Sequence, residues 1–578
     1  MYRRARRGSE EKPKEPFKMK FDSVLPMIGE FGPYQRRIYA LVCLPTICCA
    51  MHKLAWVFLG AKVSFRCKLP VEWDNATYDL PEGVFKNMTF LNDEKEQCSR
   101  YNANFSGYPE NLIPTNEQVG CGGEYVYDLS KYESSAFMEF GLMCDRKALY
   151  ATAQALFMVG ILLGSIIFGV LSDIFGRRPV FFFSLVIQVV FGILAGVAPD
   201  YTTFVIARII VGASTSGIFL VGFVIAMEMV GPSKRVIAGV VCQYFFTAGY
   251  LVTGTMAYLI KDWRHLQIAL SVPGVVLLSY WWFLPESIRW LLTRGRKAEA
   301  NAILRKVAVE NKVTLPEEVY DGLCDDDKKE TNTVNFLRVL QFPKLRLRSA
   351  NIFLNWFVNS GVYYGLSLNT SSLGGNDYIN FLISGAVEVP AYTFLLLSLN
   401  RLGRKYVLCG CMLAGGFFMA ICGAIPENLN WLLITSSMIG KLCITASYGV
   451  IYILSAENFP TVVRNAGMGA SSMFARVGGI LAAYIVELGD FWKPLPLLIF
   501  GGASIIGGGL ALFIPETLGK RLPETLEDGE KFGTASYEKT KIHRELESWL
   551  TFKNFIVILS MYLRFNSMEV RACAFMAK

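Results

Sequence analysis

Apolar residues in this chain come in blocks of about twenty, with polar and basic clusters between them, rather than in the alternation of a strand or the rhythm of an amphipathic helix. A helix rises about 1.5 Å per residue, so roughly twenty apolar residues cross the hydrocarbon of a bilayer. Blocks of that length lie at 38–60, 149–171, 179–198, 202–225, 236–260 and 265–284, and again at 350–370, 378–399, 406–425, 431–455, 467–488 and 494–514. The pattern predicts an all-α membrane protein of twelve spans, six on each side of a polar insert.

The turn between spans 2 and 3, Gly169-Val-Leu-Ser-Asp-Ile-Phe-Gly-Arg-Arg-Pro179, is tight and basic. Gly169 suits close approach of helix backbones, Gly176 a turn conformation closed to other residues, and Arg177 and Arg178 hold the turn on the cytoplasmic side, with Asp173 in reach of cations and helix ends. A related turn, Asn400-Arg-Leu-Gly-Arg-Lys405, joins two spans of the second half, its Gly403 and Arg404 standing 227 residues (403 − 176) after Gly176 and Arg177. Pro285-Glu-Ser-Ile-Arg-Trp-Leu291 and Pro515-Glu-Thr-Leu-Gly-Lys-Arg521 close the two halves 230 residues (515 − 285) apart. Two landmark pairs at one spacing indicate a duplicated bundle, an arrangement that places a substrate site between parallel repeats.

The regions are then a cytoplasmic N-terminus (1–37), a first bundle (38–284), a cytoplasmic linker (285–349), a second bundle (350–514) and a cytoplasmic tail (515–578). Cations gather in alternate short loops, which puts both termini inside. The insert at 61–148 holds Cys67, Cys98, Cys121 and Cys144 and the sequons at Asn75, Asn87 and Asn104, the signature of an external, glycosylated loop with two disulfides in one of three connectivities. Clustered Arg338, Lys344, Arg346 and Arg348 at the end of the linker are topogenic charge or a binding surface for anionic lipid. The run Phe555–Leu563 in the tail is too short to span. Composition agrees: 53% of residues are hydrophobic and 18% charged, and the net charge of +9 lies in loops as a topology signal, not as a nucleic-acid surface.

Ionisable residues inside spans are costly and so are functional candidates. Here they are Lys53 and His52 in span 1, Arg208 in span 4, Glu388 in span 8, Lys441 in span 10 and Arg476 in span 11. Structural alternatives stand beside each: Arg208 as a brace, Lys441 as partner of Glu388, and Glu228 as a cap near Asp173 and Arg177. Arg476 lies mid-span beside Gly478 and Gly479, which suggests open space for a ligand carboxylate. Trp356 and Tyr363, seven residues apart on span 7, share a face suited to an alkylammonium or to packing.

These motifs, with Val387-Glu-Val-Pro-Ala-Tyr392 and Asn458-Phe-Pro-Thr-Val-Val-Arg-Asn465, resemble the organic cation, carnitine and organic anion carriers of the major facilitator superfamily over roughly residues 20 to 525. Ile288, Asn400 and Asn458-Phe459 depart from that family's usual residues. The resemblance implies a twelve-helix facilitator fold in the plasma membrane and a substrate site drawing on Arg476, Glu388, Trp356, Tyr363, Tyr364, Lys441, Phe246 and Phe219. It makes the span-11 position a charge selector, with Arg marking the anion and carnitine types. The expected function is secondary-active or facilitative transport of small organic ions, carnitine-like or amino-acid-like zwitterions foremost, by alternating access. The alternatives are a carrier of simple organic cations or a membrane receptor. No phosphate loop, metal cluster or nucleophile–base constellation points to an enzyme. No cofactor or metal is expected, the coupling ion, Na⁺ or H⁺, is open, and the partners are the small organic ion and the bilayer.

Overall fold

The computed structural model describes residues 19–69, 76–79, 98–104, 113–324, 336–426, 429–520 and 522–534. Asn75, Asn87, Arg521 and the 555–563 run lie outside them; Asn104 closes a strand.

The first half contributes α1 (Pro33–Leu54), α2 (Lys147–Phe175), α3 (Arg177–Gly196), α4 (Tyr201–Met229), α5 (Arg235–Leu259) and α6 (Trp263–Leu278). The second contributes α7 (Pro343–Leu368), α8 in two pieces (Asp377–Ala386 and Glu388–Leu402), α9 (Arg404–Ile421), α10 (Asn430–Asn458), α11 (Arg464–Glu487) and α12 (Leu495–Ala511). Helix starts follow local chemistry. Asp200 and Asp262 cap α4 and α6 by accepting from Thr203 N at 2.9 Å and His265 N at 2.8 Å, and Pro33 and Pro343 open α1 and α7 where a missing N–H costs nothing.

Among the described residues nine helices are long and apolar enough to cross a membrane. The others are α6 and α12, at 16 and 17 residues, and α7, whose first two turns carry Lys344, Arg346 and Arg348 and whose middle carries Asn351, Asn355 and Asn359. The polar start of α7 is used internally: Arg348 donates to Gly529 O and Phe532 O, and Glu530 accepts from the backbone N–H of Lys344 and Leu345.

Within the halves the closest partners are α2 with α4 and α7 with α11; between the halves they are α2 with α11 and α5 with α8. The close approach of α2 and α4 comes from Gly160, Gly164 and Gly212, where an added Cβ would overlap the backbone of Ile209, Ala213 and Phe157. Gly169 does not serve this purpose; a Cβ there would have the flexible end of Leu220 at 3.7 Å as its nearest neighbour, because Gly169 lies about 140° round the helix from Gly164 and the face that meets α4. Gly478 likewise lets α11 press on the backbone of α7 at Phe357, so it brings helices together instead of opening space.

The loop between α1 and α2 is stapled by Cys67–Cys121 and Cys98–Cys144, with Phe65–Cys67 pairing antiparallel to Tyr125–Tyr127. On the opposite face, the segment before α1 docks against the linker: Met19–Lys20 pairs in parallel with Leu323–Cys324, and Asp22 bonds Arg235 and Arg289.

Candidate functional site

The two short turns are built alike. Gly176 and Gly403 adopt φ of 108° and 88°, a region L side chains rarely enter, and each starts the next helix directly. The open N–H groups of those helix starts are met by a carboxylate from the far end of the same half. Glu286 Oε1 accepts from Arg177 N at 3.0 Å, and Glu516 accepts from Arg404 N and Lys405 N, both at 3.0 Å. Arg178 N also reaches Glu286, and the Arg178 guanidinium stacks on Trp281. The arginine after each glycine then turns back along the preceding helix, Arg177 to Ser172 O at 2.8 Å and Arg404 to Leu399 O at 3.1 Å, and pairs with a carboxylate one helix further on: Glu228 at 3.7 Å and Glu457 at 3.2 Å. Asp173 adds a 2.7 Å ion pair with Arg177, and its carbonyl accepts from Trp290 Nε1; Asn400 stands at the corresponding place in the second turn.

Sequence reasoning missed Glu286, Glu516 and Glu457 as members of these clamps. The signal was present, since Glu228 and Glu457 are 229 apart (457 − 228), the offset of the other landmarks. Burial and the four N–H groups around it act oppositely on Glu516; the N–H groups prevail and hold its carboxyl below the usual range.

At mid-membrane the ionisable groups divide into two sets. Glu388, fully buried, accepts from Tyr363 OH at 2.6 Å and, across the interface between halves, from Thr247 Oγ1 at 2.9 Å; Lys441 Nζ lies 3.6 Å from it. Lys441 also donates to Tyr363 O at 3.2 Å and to Ser367, and sits 3.6 Å from the centre of the Tyr363 ring. This carboxylate and this ammonium are satisfied by protein.

The second set is cationic. Arg476 on α11 stands against Tyr364, Tyr448 and Tyr452, and Lys53 on α1 faces it from the other half, its Nζ 5.2 Å from the Tyr364 ring centre and 5.5 Å from that of Phe246. Arg476 Nε is buried without a hydrogen bond, and none of the ion pairs among the described residues includes Arg476 or Lys53. Trp356 donates its Nε1–H to Ser455 at 2.8 Å and packs against Tyr452, continuing the aromatic wall. Phe219 does not join it; it packs beside Phe223 in the first-half core near the turns. Sequence reasoning missed Tyr448 and Tyr452, one helical turn apart on α10, which the packing of α10 against α7 and α11 brings to Arg476 and Trp356.

The halves meet most firmly at the end bearing the disulfide loop. Lys62 pairs with Glu487 and Asp490, each at 2.9 Å, Lys147 pairs with Asp490 at 2.7 Å, and Thr152 and Tyr484 share a bond of 3.3 Å. The loop itself reaches α8 through Tyr132 and Lys131 to Asp377.

Residues 90–528 match the sequence model of the sugar (and other) transporter family. The chain is 53% identical over 527 residues to the organic cation transporter protein of Drosophila melanogaster, covering 89% of this chain and 95% of that one. It is 34% identical over 548 residues to human organic cation/carnitine transporter 2, covering 91% and 97%. In fold it resembles the E. coli xylose transporter XylE in a partially occluded inward open conformation, with TM-score 0.58, 16% identity, 85% of this chain and all of that one. The matched family, the length of the matches and the twelve-helix, twice-clamped architecture together place the chain among the organic cation transporters of the sugar (and other) transporter family, a family of membrane carriers and not of enzymes.

Proposed function

We propose that this transporter carries small organic zwitterions, carnitine-like or amino-acid-like, across the plasma membrane by alternating access. In this reading the disulfide loop is outside and the glycine turns and both termini are in the cytoplasm. One observation carries it: Arg476 and Lys53, one from each half, meet at the centre of the molecule with no ion pair to a carboxylate among the described residues, while Glu388 is already engaged by Lys441, Tyr363 and Thr247. Two unpaired cations in low dielectric favour a ligand that brings a carboxylate. The faces of Tyr364, Tyr448 and Trp356 offer its ammonium a cation–π wall. In this reading the Lys62 and Lys147 ion pairs are the contacts that close the loop end, and the paired clamps are the levers on which the halves rock. The names of the relatives, organic cation and organic cation/carnitine transporters, suit a substrate with a cationic group.

The test is uptake in cells expressing the protein, with carnitine, β-alanine, tetraethylammonium and an aromatic carboxylate in competition. Arg476→Lys keeps the charge but loses one of two parallel bonds, about 1.5 kcal/mol or roughly tenfold in apparent affinity for the zwitterion. Tetraethylammonium, having no carboxylate, should be spared, and Arg476→Asp should abolish zwitterion uptake. If Arg476→Asp leaves it intact, or the wild type carries tetraethylammonium and no zwitterion, the substrate is a simple organic cation and Arg476 is a brace.

A further inference from the structure

A second place in the molecule is rich in unsatisfied donors and is not used by the substrate reading. Next to the loop-end contact of the two halves lies a small cleft lined by Trp56, Tyr150 and Gln154 from the first half and Leu368, Val486 and Glu487 from the second. Trp56 and Gln154 are 2% and 1% exposed, yet among the described residues Trp56 Nε1 and Gln154 Nε2 have no hydrogen-bond partner. A buried donor left open costs roughly 1–3 kcal/mol, so two on one cleft require an explanation.

Arg208 provides part of it. Its Nη2 donates to Gln154 Oε1 at 2.9 Å, which turns the amide oxygen to the guanidinium and the amide NH₂ away from it. Arg208 is itself 3% exposed, is wrapped by the rings of Trp56, Phe157 and Phe204 at 5.0, 4.7 and 5.8 Å, keeps Nε without a partner, and is in none of the ion pairs among the described residues. The carboxylate on the cleft, Glu487, is held by Lys62, and Asp490 by Lys62 and Lys147. Around Tyr150 on this cleft the described groups are Arg208 and Lys62 with Glu487 and Asp490, and Lys147 shares Asp490, so among them positive charges exceed negative ones by one and Arg208 is the cation without an ion pair. The free space is that of a water-sized occupant.

We propose that this cleft binds one small inorganic anion of chloride size, held by Trp56 Nε1–H and Gln154 Nε2–H and balanced by Arg208. A water molecule would accept from the two donors but leave the charge unmet; the anion answers both. Because the walls come from both halves, the site is complete only when the loop end is closed, so the anion stabilises that conformation over the one open at the loop end.

The experiment is thermal unfolding of the purified full-length protein in sodium chloride against sodium gluconate at equal ionic strength, gluconate being too large for the cleft. The expected result is a Tm that rises with chloride and saturates, with no such saturating rise in gluconate. Gln154→Leu, which is close in volume, and Trp56→Phe, which keeps an aromatic ring of smaller size, each remove one donor and should each flatten the chloride response, while Arg476→Gln should keep it. If Gln154→Leu does not fold, Trp56→Phe carries the comparison. An identical response in the two salts overturns the proposal. So does a response that survives both donor removals, or one that disappears with Arg476→Gln, which would put the anion at the central cations.

Discussion

Lys441→Met is the sharpest probe of how charge is managed at the centre. In the native protein the Lys441 ammonium and Glu388 carboxylate are 1% and 0% exposed and 3.6 Å apart, and Glu388 holds two further bonds, from Tyr363 and from Thr247 of the other half. Removing one member of a buried ion pair generally costs about 3–5 kcal/mol, since the remaining charge stays in low dielectric. Two hydrogen bonds to the surviving carboxylate offset part of that, so the single change should destabilise by about 2–3 kcal/mol. Glu388→Gln alone leaves the ammonium with Tyr363 O, Ser367 and the Tyr363 ring and should cost less. The double change removes both charges while the Gln amide still meets both hydroxyls, its oxygen accepting from one and its NH₂ donating to the other, so most of the loss should return. The coupling from the cycle is then about 2 kcal/mol, well above the roughly 0.5 kcal/mol scatter of independent sites. The assay is unfolding in detergent of the four proteins, with uptake of labelled carnitine and tetraethylammonium beside it. With Lys441 gone, Glu388 becomes available to a ligand cation, so the ratio of tetraethylammonium to carnitine uptake should rise in Lys441→Met and fall back in the double variant. Additive stabilities with an unchanged uptake ratio would refute the idea that Lys441 cancels Glu388.

The remaining predictions address the levers and the topology. Asp173→Asn removes one ion pair from Arg177, which keeps Glu228 and Ser172 O; the exchange of conformations should slow in a single-turnover transport assay while substrate binding, measured by displacement, stays within about twofold. Glu516→Gln weakens four charge-assisted N–H contacts and should reduce turnover more than Asp173→Asn does. Because the folded-state pKa of Glu516 is depressed, its contribution is complete above the ordinary carboxylate range and is lost as pH falls through the lower folded value. The stability gap between wild type and Glu516→Gln should therefore be constant near neutrality and close in acid, and a gap that widened on acidification would contradict the sign. Combined substitution of Asn75, Asn87 and Asn104 should abolish the mobility shift on endoglycosidase treatment in a glycosylating host; an unchanged shift in the triple variant would place the sugar elsewhere.

What the sequence determined by itself is whatever depends on local chemistry repeated along the chain. Twenty-residue apolar blocks dictate membrane helices because an unpaired peptide group in hydrocarbon is costly. Gly176 and Gly403 dictate turns because φ near +100° excludes other side chains, and the repeated offset near 229 dictates a duplicated bundle. The four loop cysteines and the charges inside spans were equally plain. What only the tertiary structure decided is pairing. Three disulfide connectivities were open until the loop strands brought Cys67 to Cys121 and Cys98 to Cys144. Glu388 and Arg476 both stood as candidates for a ligand, with Lys441 open as a partner of Glu388, until helix packing gave Lys441, Tyr363 and Thr247 to the first and tyrosines, with no ion pair among the described residues, to the second. Gly169 and Gly160 are both helical glycines in the chain, and only the seating of α4 on one face of α2 shows which one the close approach uses. The reason is common to all three cases: the cost of a buried charge, thiol or bare backbone depends on what faces it across 4 Å, and residues that face one another here stand as far as 428 positions apart along the chain.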